Sequence, residues 1–147
     1  MALFTGTSGD DTLTAGGGLG GADTLYGLGG NDLLDGGDGD DLMDGGFGND
    51  NFIAGAGIDT MVGGSGIDIV SYAGAGTTPV ELNLATGIAT GLGFFHEIFQ
   101  IEYVIGGGGN DRLQGDEQDN RFVGQNGNDT LFGRAGDDTL FGNAGDD

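Results

Sequence analysis

Aspartate recurs along this chain at a spacing of nine residues, each time in a similar short glycine-rich stretch. Twelve such stretches share a nine-residue unit with Gly at positions one and four and Asp at position six, with few exceptions. Carboxylate and carbonyl oxygens are the hard ligands that Ca²⁺ accepts in a flexible shell, whereas Zn²⁺ prefers His or Cys. We therefore predict metal-ligating carboxylates at Asp11, Asp23, Asp32, Asp41, Asp50, Asp59, Asp68, Asp111, Asp129, Asp138 and Asp147.

The unit also carries one apolar residue, at position eight, which indicates the fold. A period of nine with a single apolar side chain suits neither an amphipathic helix nor a heptad. It fits a strand of about three residues with its middle side chain inward, followed by a tight glycine-rich turn. We predict an all-β fold, a parallel β-roll (β-solenoid) with two nonapeptides per coil. The predicted core residues are Leu13, Leu25, Leu34, Met43, Phe52, Met61, Val70, Leu113, Phe122, Leu131 and Leu140.

Loops two repeats apart should stack on the same edge of such a roll, with one ion between each stacked pair. The predicted pairs are Asp23/Asp41, Asp32/Asp50, Asp41/Asp59, Asp50/Asp68, Asp111/Asp129 and Asp129/Asp147, with Asp11/Asp32 and Asn120/Asp138 as weaker sites. Backbone carbonyls of the turns complete the predicted ligand set, such as those of Gly27, Gly30, Gly36, Gly37, Gly39, Gly46, Gly48, Gly55, Gly57, Gly127 and Gly136. About six to eight Ca²⁺ ions are expected in all.

Composition excludes several classes of partner. The 147 residues include 37 Gly, 24 acidic residues and three basic ones, for a formal net charge of −21. A polyanion of this kind will not bind a nucleic-acid backbone or an anionic lipid surface. The chain has no Cys, which excludes disulfides and cysteine nucleophiles. Its longest apolar run is far below the roughly 20 residues of a membrane helix, so we expect no membrane insertion.

The repeats fall into two arrays within one predicted domain, 1–147. Residues 1–71 form the first array, 72–105 a calcium-free spacer of about two coils, and 106–147 the second array. In the spacer, Val80, Leu82 and Leu84 alternate as one inward strand face. A second inward face is predicted for Ile98, Ile101 and Val104, where a strand is favoured over a short helix because β-branched residues dominate.

One histidine in the spacer invites a catalytic interpretation. His96 stands beside Glu97, but no second His, Cys or nucleophile accompanies them. We expect a surface pair on a loop, and no catalytic residues anywhere in the chain.

The repeating unit GGxGxDxUx resembles the calcium-binding nonapeptide of the RTX (repeats-in-toxin, haemolysin-type) family. The spacer, from SYAGAGTTPVELNLATGIATG to IEYVIGGGGND, is similar to one common between RTX arrays. The resemblance implies a β-roll, calcium-dependent folding, and type I secretion from a Gram-negative bacterium to the exterior or the cell surface. The stretch GDEQDN departs from the pattern, because Gln118 and Asn120 replace Gly and Asp.

Two functions are compatible with these features. The first is a secreted, non-catalytic calcium-binding β-roll that acts as a structural or assembly module. The alternative is the C-terminal secretion and folding aid of a larger RTX enzyme, such as a protease, lipase or epimerase. The ends also match in sequence, since GNAGDD at the C-terminus could run into ALFTG at the N-terminus of another copy. This predicts head-to-tail self-association.

Overall fold

Short strands make up nearly all of the regular structure. A computed structural model describes residues 1–15 and 20–147. Its strands are β1 (Leu3–Thr5), β2 (Thr12–Thr14), β3 (Thr24–Gly29), β4 (Leu33–Asp35), β5 (Leu42–Phe47), β6 (Asn51–Ile53), β7 (Gly57–Ser65), β8 (Ile69–Ser71), β9 (Glu81–Asn83), β10 (Ile88–Gly91), β11 (Phe94–Phe99), β12 (Tyr103–Ile105), β13 (Arg112–Gln114), β14 (Arg121–Asn126), β15 (Thr130–Phe132) and β16 (Thr139–Ala144). A 3₁₀ turn follows β8 at Ala73–Ala75. No helix among the described residues has the length and apolar character needed to cross a bilayer.

Within the two arrays successive strands alternate between two sheets, which confirms the predicted β-roll. Sheet one has the order β1-β3-β5-β7-β11-β10-β9-β13-β15, and sheet two has the order β16-β14-β12-β8-β6-β4-β2. Within the arrays neighbouring strands are parallel, and Leu25 pairs with Met43, 18 residues later. Two nonapeptides therefore complete one coil of a solenoid of about eight turns.

The core is a stack of position-eight side chains between the two sheets. Eight of them are fully buried: Leu25, Leu34, Met43, Phe52, Met61, Val70, Leu113 and Phe122. Leu13 and Leu131 are partly buried against this core, while Leu140 in the last coil is 40% exposed. The inward direction of position eight is thus confirmed, and Leu140 shares it because it pairs in register with Phe122 although it is less covered in the last coil.

The spacer supplies the core as predicted. Val80 and Leu82 are buried and Leu84 is partly buried. Ile98, Ile101 and Val104 are buried as well, but they do not form the single strand face that was predicted, because Ile98 lies in β11 of sheet one, Val104 in β12 of sheet two and Ile101 between the two strands. Residues Phe94–Phe99 form strand β11 rather than a helix, as the β-branched composition indicated.

The path of the spacer differs from the two regular coils predicted. Strand β10 is antiparallel to both β9 and β11, so these three strands form a meander within sheet one. The turns between them are short and contain Gly87 and Gly93 at φ 69° and 92°, and such turns return a strand beside its own neighbour. Sheet two gains only β12 over the same stretch, so sheet one has nine strands and sheet two has seven.

Truncating a central rung should destabilise the roll strongly. Phe52 is fully buried and lies between Leu34 and Val70 in sheet two. We expect Phe52→Ala to lower the free energy of unfolding by about 3–5 kcal/mol, measured by urea denaturation in saturating calcium. Phe47→Ala is the matched control, because Phe47 is 73% exposed. A loss of similar size in both variants would contradict the assigned core.

Candidate metal centres

The position-six aspartates stack in columns along the two edges of the roll. In eight of the twelve loops the backbone N–H of position six donates a hydrogen bond to Oδ1 of the position-six side chain in the next coil, at 2.7–3.0 Å. All eight predicted pairs are joined in this way: Asp11/Asp32, Asp23/Asp41, Asp32/Asp50, Asp41/Asp59, Asp50/Asp68, Asp111/Asp129, Asn120/Asp138 and Asp129/Asp147. The stacking register inferred from the sequence is confirmed.

The second oxygen of these carboxylates is the feature that suits a cation. Oδ2 is buried and accepts no hydrogen bond in six of the position-six residues: Asp32, Asp41, Asp50, Asp59, Asp68 and Asp129. A buried carboxylate oxygen without a partner is costly, because it has lost its hydration. A bound cation would supply the missing interaction, so the side chains present fit a metal.

Glycine at position one makes room for that oxygen. At Gly36, a Cβ atom would lie 2.6 Å from Oδ2 of Asp41. Any larger residue there would push the carboxylate out of its place. Position one is therefore glycine because its own loop folds the aspartate side chain over it.

Backbone carbonyls approach the same turns from the adjacent coils. Several lie so close to a glycine of the next or preceding coil that a Cβ atom there would collide with them: those of Gly27, Gly30, Gly37, Gly39, Gly46, Gly48 and Gly127. The arrangement thus gathers carboxylate and carbonyl oxygens at each edge. No group of three or more His, Asp or Glu side chains suited to a metal is found in residues 1–15 and 20–147. The ligand role of all these carbonyls stays a prediction, as does that of the carbonyls of Gly36, Gly55, Gly57 and Gly136.

In three loops the position-six side chain accepts a hydrogen bond from a backbone N–H of its own loop. Oδ2 of Asp11 accepts a hydrogen bond from the N–H of Thr7 at 2.6 Å, and Oδ2 of Asp111 accepts one from Gly107 at 2.7 Å. In the irregular loop, Oδ1 of Asn120 accepts from the N–H of Asp116 at 2.9 Å. These three loops close on themselves through a position-six side chain.

A second ladder, at position five, was missed by the sequence analysis. Asn49 donates its N–H to Oδ1 of Asn31, and Ile67 donates to Oδ1 of Asn49, both at 2.8 Å. This ladder runs in the opposite direction to that of position six and lies on the exposed side of the turns. The signal was present, because position five is Asp or Asn in most repeats. These side chains hold the coils together without a metal.

His96 lies in the core, which makes the predicted surface pair wrong. Its ring is fully buried, Nδ1 is 3.2 Å from the hydroxyl of Tyr72, and Nε2 is 3.0 Å from Oδ2 of Asp59. The contact with Asp59 is close but outside hydrogen-bond geometry. The cause is the register, since β11 pairs His96 with Asp59 and so puts the imidazole in the position-six column. Glu97, the next residue, does lie on the exposed face.

The loop that faces His96 also departs from the repeat at position one. Ala54 stands there in place of Gly, and it is buried. Tyr72, Phe94 and His96 form a stack of rings with centroids 4.7–5.7 Å apart beside this loop. At this edge of the roll, the stacked carboxylates of the first array are therefore followed by packed aromatic rings where the spacer begins.

Burial raises the pKa of five position-six carboxyls above the ordinary aspartate value. Loss of hydration is the main cause, and neighbouring carboxylates add to it, while backbone hydrogen bonds act in the opposite direction. The shift is large for Asp68, whose pKa rises to about 6. The five residues are Asp41, Asp50, Asp68, Asp111 and Asp129. Without a cation, the folded roll disfavours its own ionised carboxylates.

Comparison with known families finds one match that covers most of the chain. The family model described as RTX calcium-binding nonapeptide repeat (4 copies) matches residues 3–19, 17–52, 53–76, 101–130 and 115–147. The unmatched residues, 77–100, correspond to the meander and its approach. No curated protein matches the chain in sequence.

Acid should partly replace calcium in folding the roll. The folded pKa of Asp68, about 6, exceeds the value of about 4 expected in the unfolded chain. This group therefore favours folding below about pH 4 and loses that contribution as the pH rises through 6. Calcium-depleted protein should show a stronger β signal by circular dichroism at about pH 5 than at about pH 7.5, and the difference should shrink in Asp68→Asn. An equal signal at both pH values would contradict the burial described above.

Proposed function

Because the chain belongs to the family of RTX calcium-binding nonapeptide repeats, we propose that it is a secreted, non-catalytic structural module whose roll folds when Ca²⁺ binds between stacked loops. A β-roll of such repeats is a structural calcium-binding domain. The observation that carries the proposal is the set of buried Oδ2 atoms without hydrogen-bond partners. They lie in the turns that the repeat pattern marks as ligand loops.

Each ion would be held by oxygens of two adjacent coils. Position-six carboxylates supply the negative charge, and the carbonyls of the glycine-rich turns supply neutral oxygen ligands. This donor set matches the preference of Ca²⁺ for many hard oxygens in a flexible arrangement. The bound ion would neutralise the repulsion within the column and complete the bonding of the buried oxygens.

The sites should differ in strength along the chain. Asp32, Asp41, Asp50 and Asp68 all have an unpartnered Oδ2 and belong to the longest uninterrupted run of repeats. Asp59 is expected to bind more weakly at its Oδ2, because His96 already lies 3.0 Å from that atom. The loop of Asn120 is expected to bind least, since a neutral amide closes it.

Calcium binding would also restrict folding of the chain to the outside of the cell. A formal net charge of −21 and 37 glycines oppose folding through repulsion and ordering entropy. An ion bound only by the folded state stabilises that state by mass action. At affinities of about 10⁻⁴–10⁻³ M, typical of extracellular modules, the chain would stay unfolded in the cytosol and fold outside.

We place this module at the cell exterior because the RTX family is typically extracellular in type I secreted proteins. It could serve alone or as the folding aid of a larger RTX enzyme whose catalysis lies in other segments. Head-to-tail association of the two end sequences stays a prediction.

Removal of calcium tests the proposal directly. Circular dichroism of the full chain at pH 7.5 should show loss of β signal in excess chelator and its recovery in millimolar calcium. Excess Mg²⁺ is the control, because its tighter octahedral shell suits these turns poorly. An undiminished β signal in chelator would refute calcium-coupled folding.

The ranking of sites can be tested by substitution. Asp50→Asn keeps an acceptor for the Asp32 N–H but removes a charge that borders two predicted ions, so the number of bound calcium ions should fall by at least one in calorimetry. Asp38→Asn is the matched control, because Asp38 is exposed in the same array. Asn120→Ala should lose no ion. A larger loss for Asn120→Ala than for Asp50→Asn would overturn the assigned register.

A further inference from the structure

Asp68 has a carboxylate neighbour in the next coil that the nonapeptide pattern does not contain. Its backbone N–H donates a hydrogen bond to Oε2 of Glu102 at 2.9 Å. Strand β12 pairs with β8 so that Tyr103 faces Ile69, and Glu102 therefore takes the position-six place in its coil. The relation between Asp68 and Glu102 is the one that joins Asp50 to Asp68 within the array.

The carbonyl oxygen of Gln100 lies beside Asp68 in the way that turn carbonyls lie beside the position-six aspartates of the arrays. Oδ2 of Asp68 is buried, with no hydrogen-bond partner, in a residue that is fully buried. A Cβ atom at Gly63 would collide with both this Oδ2 and the carbonyl oxygen of Gln100. The two oxygens thus converge on one point of the turn. Gln100 reaches it with a left-handed backbone, φ 56°, an uncommon conformation for a non-glycine residue.

A cleft lies beside this turn. It has a volume of about 430 Å³ and is lined by Gly64, Gln100, Glu102 and Asp116, among others. The cleft opens because sheet one inserts β10 and β9 here while sheet two continues directly from β12 to β14. Glu102 and Asp116 both line the cleft, so water beside Glu102 would be able to complete a coordination shell.

We propose that Asp68, Glu102 and the carbonyl of Gln100 form a calcium site at the junction between the first array and the spacer. The site rests on the proposed function, because it takes the same ion by the same chemistry. It lies outside the nonapeptide pattern, since its second carboxylate comes from the segment IEYVIG rather than from a repeat. Two carboxylates and a carbonyl, with Gln100 and Glu102 lining the cleft, offer a hard-oxygen set that fits Ca²⁺.

The site would link the calcium state of the first array to the order of the spacer. Glu102 precedes β12, which pairs with β8 on one side and with β14 of the second array on the other. An ion between Asp68 and Glu102 would fix β12 against β8, and β14 would then have a formed strand to pair with. In a solenoid each coil is stabilised by its neighbours, so this ion would help the second array to form on the first.

The substitution Glu102→Gln distinguishes two roles of this side chain, that of a charged metal ligand and that of a hydrogen-bond acceptor. The glutamine keeps an oxygen for the Asp68 N–H and keeps the side-chain shape, but removes the charge. The full-length variant in saturating calcium should bind one ion fewer than the wild type, as counted by native mass spectrometry. Amide hydrogen exchange should be faster in 69–71 and 103–105. Glu97→Gln is the matched control, because Glu97 is an exposed glutamate of the same spacer.

The outcomes distinguish the two proposals. A wild type that binds no calcium refutes the proposed function itself. A calcium-loaded Glu102→Gln with the full number of ions, or a Glu97→Gln that loses an ion equally, refutes only the junction site. Should Glu102→Gln fail to fold in calcium, Glu102→Asp decides. That variant keeps the carboxylate and is expected to fold and bind the full number of ions, and its failure to fold would assign Glu102 a packing role instead.

Discussion

Repulsion within buried columns of carboxylates is the constraint on which the rest of this roll depends. The sequence has 24 acidic residues and only three arginines, and two of those arginines lie on the outer faces of the sheets. Arg112 stacks over Phe132, and Arg121 lies between the rings of Tyr103 and Phe141. Their charges take part in cation–π contacts on the surface, so these two arginines do not neutralise the columns at the edges.

Two opposed hydrogen-bond ladders hold adjacent coils in register, and so fix the positions of the unpartnered carboxylate oxygens. Position-six side chains accept from the preceding coil, as Asp50 does from Asp32. Position-five side chains accept from the following coil, as Asn31 does from Asn49. Each turn is therefore held on both sides by hydrogen bonds from backbone N–H groups to side-chain oxygens, and one carboxylate oxygen per regular loop is left without a partner. Glycine at positions one and four allows this close approach of backbone and side chain.

The repeat made the fold and the stacking register predictable, because one period sets strand, turn and partner together. The prediction was wrong in the spacer, where the nine-residue period stops. The antiparallel β10 depends on the two short turns around it, and His96 could not be placed in the core without knowing that β11 continues the register of β7. Glu102 could have been found, since it precedes the strand residues Tyr103–Ile105 as each position-six aspartate precedes its own strand. The ligand roles depend on where an ion lies between the coils, and the spacing of residues alone does not determine that position.

Asn120 has an evolutionary consequence for such rolls. Its backbone N–H donates to Oδ1 of Asp138 and its side-chain Oδ1 accepts from Asp116 in its own loop, so an Asn at position six leaves the coil in register while removing its charge. The codons of these two amino acids differ by a single base. A lineage can therefore remove or restore a position-six carboxylate by point mutation while the coil stays in register, and can adjust the calcium concentration at which the chain becomes ordered one repeat at a time.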